Sequence, residues 1–277
     1  MIFIGAMRIL AVAMSVIMML ADIPLGALGN PRSSYGLGSA CYLSGRNLLY
    51  SLYVDTTQSS WEKEEKEEVL SKLETACEYI EDCAKQYHKK VELVYDWQEN
   101  TDLTGNAKVK FPICDQADFM DRLDAEIALW VETKVDYEGL MEEYDAEGIA
   151  LLIFVNNQVS SYAIVYDGID NPKESVVLEG GETPAAYAHE ILHVFGAHDL
   201  YKNAEYTKEV TDYVKKVYPL EIMYTVTDEQ GEKYDDQIVN IVSPITAYHL
   251  GWIDYTEEID VFPQLKRKQK NERGKRL

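Results

Sequence analysis

Alternating and helix-periodic patterns of hydrophobic residues predict that the fold begins with a strand, a long helix and a second strand. Residues 47–56, NLLYSLYVDT, alternate and are rich in Leu, Tyr and Val, which is typical of a strand. Residues 61–87 are highly charged but repeat apolar positions at helical spacing, among them Leu73 and Ile80, which predicts a helix. The run KKVELVYDW, residues 89–97, predicts the second strand.

A second helical region and three short strands follow. The stretch FMDRLDAEIALWVETK continues through YEGLMEEYDAEG and is predicted to be helical. The three strands are IALLIFVN, SYAIVYDG and ESVVLEGG, with a turn at Asn156 and Asn157 after the first. This order of strand, helix, strand, helix and three strands indicates an α/β or α+β fold with a mixed sheet.

Composition and charge place the chain among globular proteins that do not bind nucleic acid. It has 277 residues, of which 47% are hydrophobic, so it can bury a core as one large domain or two small ones. Its net charge of −22 would repel phosphate and argues against a nucleic-acid partner. Residues 264–277 instead carry seven Lys or Arg and one Glu. We expect this basic tail to be a solvated end; contact with an anionic cell-wall polymer or membrane surface is the functional alternative.

The N-terminal segment has the pattern of an export signal. Arg8 precedes thirteen residues, 9–21, in which Ser15 is the only polar one. This apolar run is short for a bilayer span and has the length of a signal-peptide core. We therefore predict a signal peptide over residues 1–29, a short linker over 30–46, and a secreted or cell-surface protein. An uncleaved anchor or a buried helix is the alternative.

The four cysteines leave two interpretations open. They are Cys41, Cys77, Cys83 and Cys114. An even number in an exported chain permits two disulfides, whereas buried free thiols are the alternative. Cys77 and Cys83 are six residues apart in the predicted helix and point to different sides, so they are not expected to pair with each other.

Three of the five histidines lie in the segment AHEILHVFGAHDLY, residues 188–201. Thr183 and Pro184 are favourable residues for the start of a helix, and Gly196 is favourable for its end. The predicted helix, 184–195, places an apolar stripe toward the core. It places His189 and His193, at positions i and i+4, one turn apart on another face.

This spacing suits a divalent metal ion. Two imidazoles one turn apart can bind the same ion, and a catalytic zinc takes three protein ligands and keeps one position for water. Gly196 ends the helix, so the chain can turn back and either Asp199 or His198 can complete the set. Glu190 lies beside the histidine pair and could take a proton from water. Two surface histidines on an amphipathic helix are the alternative without a metal.

The pattern His189-Glu190-x-x-His193-x-x-Gly196-x-x-Asp199 resembles the extended zinc motif of the metzincin metallopeptidases. It is most similar to bacterial members with Asp in the third position, such as snapalysin and the immune-inhibitor peptidases. The resemblance implies that Asp199 rather than His198 is the third ligand. Met223, in PLEIMYTV, resembles the methionine of the tight turn beneath the metal. SPITAYHLGWID, residues 243–254, resembles the C-terminal helix and the strand start that follow.

The resemblance implies an α+β metzincin-like zincin with a mixed twisted sheet and long helices. An N-terminal catalytic subdomain, 47–196, would end in the zinc-binding helix, and a smaller C-terminal subdomain with a Met-turn, 197–263, would precede the basic tail.

It also implies a secreted zinc endopeptidase that acts on protein or peptide substrates. His189, His193 and Asp199 would bind Zn²⁺, Glu190 would be the general base, and Gly196 and Met223 would have structural roles near the site. The substrate would pair with SYAIVYDG or a neighbouring strand. The alternative from another class is an exported surface or adhesion module with a structural or vestigial zinc site.

Overall fold

The computed structural model describes residues 39–40, 43–97, 100–113, 117–157, 159–164, 174–201 and 206–267, without the side chains of residues 117–119 and 164. All of them belong to the unit Ser33–Leu277. The predicted signal peptide, Cys41, Cys114 and most of the predicted linker and basic tail lie outside the described residues. None of the described helices is both long enough and apolar enough to cross a bilayer.

The centre of the fold is a six-stranded sheet. Its strands are β1 (Gly45–Asp55), β2 (Val91–Tyr95), β3 (Thr104–Lys108), β4 (Gly148–Val155), β5 (Tyr162–Ile164) and β6 (Ser175–Glu179). The order is β2-β1-β4-β6-β5, and β3 also pairs with β1. Strand β5 is antiparallel to β6, whereas the other pairs are parallel. Since β2 pairs with the first half of β1 and β3 with the second half, they follow one another along the same side of β1.

Helices cover both faces of the sheet. They are α1 (Lys63–Gln86), α2 (Ala117–Lys134), α3 (Tyr137–Glu143), α4 (Pro184–Val194), α5 (Lys208–Val217), α6 (Pro244–His249) and α7 (Glu258–Val261), followed by a 3₁₀ turn at Pro263–Leu265. Leu49 and Tyr53 of β1 belong to the core with α1 and α4, whereas Leu48 and Leu52 belong to a second core with α2. Strands buried on both faces are typical of parallel sheets. The protein is therefore a mixed α/β fold with a mostly parallel sheet.

Each predicted strand and helix up to β6 has a counterpart among the described residues, although residues 165–168 of the predicted strand SYAIVYDG lie outside them. Strand β3 was not predicted. Its sequence, TGNAK, has Ala107 as its one buried residue, so it lacks the alternation that marks a strand. Strand β1 also begins at Gly45, two residues before the predicted start of the catalytic subdomain. Cys77 and Cys83 are free and buried in α1, so for these two cysteines the structure favours buried thiols.

The C-terminal half differs from expectation in two places. Helix α5 was not predicted, although Val210 and Val214 recur at helical spacing and are buried. The strand expected at Leu-Gly-Trp is absent, since residues 250–252 form a turn in which Gly251 has φ 77°. Trp252 is buried there, and its Nε1–H donates a hydrogen bond of 2.8 Å to the carbonyl of Leu43. The segment after α6 thus anchors the start of the sheet instead of extending it.

Candidate metal centre

Helix α4 carries the two adjacent histidines and has the predicted ends. The Thr183 side chain accepts a hydrogen bond from the Ala186 N–H, and Pro184 opens the helix, as expected for an N-cap and a first helical residue. Gly196, just beyond the C-cap, has φ 101°, a conformation that favours glycine. The apolar stripe of α4 faces the core, and this fixes the direction of the histidine face.

Three ligand-type atoms converge beside α4. The Nε2 atoms of His189 and His193 are 3.1 Å apart. An Asp199 carboxylate oxygen, Oδ1, lies 3.3 Å from the His189 Nε2 and 3.1 Å from the His193 Nε2. Within the described part of the chain, these three residues form a group that could hold a metal ion, with all ligand atoms within 4.8 Å of one another.

The hydrogen bonds of the two Nδ1 atoms determine whether the Nε2 atoms of His189 and His193 can bind a metal ion. The Nδ1 of His189 lies 2.9 Å from the carbonyl oxygen of Ile222, and the Nδ1 of His193 lies 2.8 Å from that of Ala197. A carbonyl oxygen can only accept a hydrogen bond, so each Nδ1 must carry the proton. In the neutral ring each Nε2 then presents a lone pair. Two lone pairs and a carboxylate directed at one another can hold a cation between them, and this donor set fits a divalent metal.

Asp199 is held as a carboxylate. Burial raises the pKa of Asp199, but in the absence of a metal a proton on the Nε2 of His189 or His193 outweighs burial, through its hydrogen bond and its charge, and keeps the pKa well below its ordinary value. Tyr201 stacks on the His189 ring, with 6.4 Å between the centroids and 17° between the planes. Burial, and then the nearby Asp199, raises the pKa of Tyr201, so its hydroxyl stays protonated beside that carboxylate. The group therefore offers an anionic oxygen in addition to two nitrogens.

Glu190 lines a cleft together with His189, one of the three candidate ligands. The cleft has a volume of about 380 Å³ and is lined by His189, Glu190, residues 224–226 and Ser160 and Ser161, which precede β5. Burial raises the pKa of Glu190 to about 7, His189 opposes this increase, and Asp199 and Glu182 add to it. A carboxyl group with such a pKa can both accept and return a proton near neutral pH.

The structure brings some of the predicted residues together and places others elsewhere. Asp199 joins the histidine pair, whereas the His198 ring packs against His249, with 4.7 Å between centroids, and against Tyr206 at 6.0 Å. Met223 is buried, and its carbonyl oxygen accepts a hydrogen bond of 2.7 Å from the Leu200 N–H.

Several residues of the site were not predicted from the sequence. The carbonyl groups of Ile222 and Ala197, which orient the two histidines, left no signal, because any residue type supplies a carbonyl. The ion pair of Lys233 with Glu182, 3.3 Å long, joins two residues that line the cleft. These residues are distant in the chain, and no local motif marks either of them.

Comparison with known proteins adds little to this picture. No family model matches the chain, and no curated protein matches it. Among solved structures, one titled "Crystal Structure of metalloproteinase-II from Bacteroides fragilis" aligns with a TM-score of 0.38 and 12% identity, over 87% of this chain and 61% of that one. A likeness this distant carries no argument about function. The fold and site define a mixed α/β protein with a His-His-Asp group that could hold a metal ion.

Proposed function

We propose that the protein is a zinc-dependent endopeptidase of the metzincin type. His189, His193 and Asp199 hold the zinc ion in this proposal, and Glu190 is the general base. The observation that carries it is the convergence of two imidazole Nε2 atoms and one carboxylate oxygen beside a cleft that His189 and Glu190 line. A turn containing Met223 and a smaller C-terminal subdomain, 197–263, complete the proposed metzincin architecture.

The identity of the metal follows from the chemistry of the donors. Two imidazoles and one carboxylate suit zinc better than calcium or magnesium, which prefer oxygen ligands. The described residues supply three such groups to this site and no fourth. Three protein ligands are typical of catalytic zinc, whereas structural zinc sites are closed by four.

The chemistry is shared between the metal and the side chains around it. Zinc supplies Lewis-acid polarisation and lowers the pKa of water at the site when it is bound. The Glu190 carboxylate accepts the proton of the attacking water and later returns it to the nitrogen of the leaving amine. His189 and His193 keep their Nε2 lone pairs directed inward, because each Nδ1–H is bound to a backbone carbonyl.

A peptide substrate is proposed to bind as an added strand. In the described residues β5 pairs with β6, its antiparallel neighbour, and lies at the end of the sheet order. Ser160 and Ser161, directly before β5, line the cleft that contains Glu190. An extended peptide pairing with β5 would therefore pass close to that carboxylate. Proteins or peptides, and not nucleic acid, are the proposed substrates.

The proposed location is outside the cell or at its surface, after removal of residues 1–29. It rests on the signal-like pattern of the sequence. Contact of the basic tail, 264–277, with an anionic cell-wall polymer or membrane surface belongs to the same proposal.

The test is cleavage of a broad peptide library by the purified chain, with a chelator, after zinc is restored, and with Glu190→Gln. We expect cleavage that the chelator abolishes and zinc restores. Glu190→Gln should retain zinc but lose about 10²- to 10⁴-fold in rate, the usual contribution of a general base. Glu143→Gln, at an exposed position of α3, is the control. A chain that binds zinc and cleaves nothing would instead be a surface or adhesion module with a structural metal.

A further inference from the structure

A buried glutamate, Glu221, joins the turn at 222–223, which contacts His189, to the start of α6. Its side chain is fully buried. Its Oε1 accepts hydrogen bonds from the Met223 N–H at 3.2 Å and from the Thr246 hydroxyl at 2.8 Å. Its Oε2 accepts a hydrogen bond of 2.5 Å from the N–H of Ser243, the N-cap residue of α6. One carboxylate thus serves three buried donors.

The turn that Glu221 holds touches both segments that supply the candidate ligands. The Ile222 carbonyl accepts the hydrogen bond from the His189 Nδ1–H. The Met223 carbonyl accepts one from the N–H of Leu200, the residue after Asp199. One of these carbonyls therefore binds a candidate ligand, His189, directly, and the other binds the residue next to a second candidate ligand, Asp199.

Loss of the carboxylate would disturb these two carbonyls. Without it, the buried N–H groups of Met223 and Ser243 would lose their acceptor, and an unpaired buried donor is costly. The turn would shift to pair them, and the carbonyl groups of Ile222 and Met223 would shift with it. His193 would be unaffected, because the carbonyl that orients it belongs to Ala197, in the segment that follows α4.

We propose that Glu221 is a positioning residue of the metal centre, which holds the turn at 222–223 so that His189 keeps its Nδ1–H tautomer and directs Nε2 at the ligand point. The inference rests on the proposed function, since it concerns the same site. It assigns a role to a carboxylate that neither binds the metal nor touches the substrate. Partners of this kind typically change metal affinity by about 10- to 100-fold.

The experiment compares Glu221→Gln with Glu174→Gln in the full chain. Glu174 is the matched control, because its side chain is also fully buried and accepts a hydrogen bond from a backbone N–H, that of Ala40, at 3.1 Å. Glutamine keeps the shape of Glu221 but presents an –NH₂ group to at least one of the three donors. The readouts are long-range ¹⁵N–¹H spectra of the imidazole rings without metal, and the zinc Kd of the folded protein.

We expect Glu221→Gln to replace the single tautomer of His189 by a mixture while His193 keeps its Nδ1–H form. The zinc Kd should rise about 10- to 100-fold, and Glu174→Gln should change neither readout. A Glu221→Gln protein that melts at a lower temperature but keeps the wild-type ring spectrum and Kd would overturn the inference. So would the same changes in Glu174→Gln.

If Glu221→Gln does not fold, two milder variants at Thr246 test the same role of Glu221. Thr246→Val removes one donor to Glu221 and keeps the shape of the side chain, whereas Thr246→Ser keeps the hydroxyl. The inference expects the His189 spectrum to change in the valine variant and to be restored in the serine variant. Equal spectra in both contradict it. The tautomer needs neither metal nor turnover, so a chain without peptidase activity would refute the proposed function and leave this test valid.

Discussion

The Nε2 atoms of His189 and His193 face each other at 3.1 Å, while the two Nδ1 atoms are bound to carbonyls of different segments, Ile222 and Ala197. Neither ring can rotate away without breaking its outer hydrogen bond. The inner nitrogens are therefore fixed close together, and Asp199 adds a negative oxygen beside them. The three atoms are therefore already in position to bind a cation before it arrives, and the effects of substitutions on this binding can be measured.

Substitution of Asp199 and of its neighbour His198 distinguishes the two candidates for the third ligand. We expect Asp199→Asn to raise the zinc Kd by more than about 100-fold. Loss of a residue that only hydrogen-bonds a ligand already lowers metal affinity by roughly 10- to 100-fold. His198→Asn should leave the Kd unchanged, because His198 packs against His249. Competition with a chromophoric chelator measures both values. The reverse result would make His198 the ligand.

Zinc should stabilise the folded chain. A ligand that binds only the folded state at 100 times its Kd adds about 2.7 kcal/mol to the free energy of unfolding. For a domain of this size that corresponds to a rise in Tm of about 5–10 °C. Calorimetry with and without zinc measures the rise, and His193→Ala should abolish it. An equal rise in that variant would mean that zinc binds elsewhere.

Glu174, which is not part of the metal centre, should make the free energy of unfolding depend on pH. Burial raises the pKa of Glu174 from 4.5 to about 8, against the opposing hydrogen bond from the Ala40 N–H. Between these values the folded state holds a proton that the unfolded state has released. This contribution to stability is therefore complete below pH 4.5 and is lost as the pH rises toward 8.

The matched variant for this prediction is Glu174→Gln, which cannot titrate. Its free energy of unfolding relative to wild type should increase with pH across that window, by at most roughly 1.4 kcal/mol per pH unit. Urea unfolding at a series of pH values measures the difference. A constant difference, or one that decreases with pH, contradicts the prediction.

Asn240 should hold one wall of the cleft in place without affecting the affinity for the metal. Its side-chain amide donates hydrogen bonds of 2.8 Å to the Thr225 carbonyl and 3.2 Å to the Thr227 carbonyl, and Thr225 lines the cleft. Asn240→Ala removes both bonds, each worth about 1 kcal/mol. We expect kcat/KM for peptides to fall about 10-fold, mainly through KM, with the zinc Kd unchanged. A loss of zinc binding would show that Asn240 supports the metal centre instead.

The ends of α4 and the spacing of its histidines could be predicted from the sequence because both depend on neighbouring residues. A capping threonine, a proline and a terminal glycine act within one or two turns. Residues four positions apart share a face of any α-helix. Strands β1 and β4 were predictable for a similar reason, since short segments rich in Leu, Ile, Val and aromatic residues favour strands from their own composition.

Other features were decided by contacts between distant segments. Strand β3 is polar and becomes a strand through its pairing with β1. The carbonyls of Ile222 and Ala197 orient the histidines through the path of the backbone, which side-chain patterns do not encode. The same is true of Glu221, whose three donors come from two segments. By itself the sequence determined which side chains of α4 could bind a metal. The packing of the turn at 222–223 and of the segment after Gly196 decided where those side chains point, because a hydrogen bond to a carbonyl depends on position in space and not on residue type.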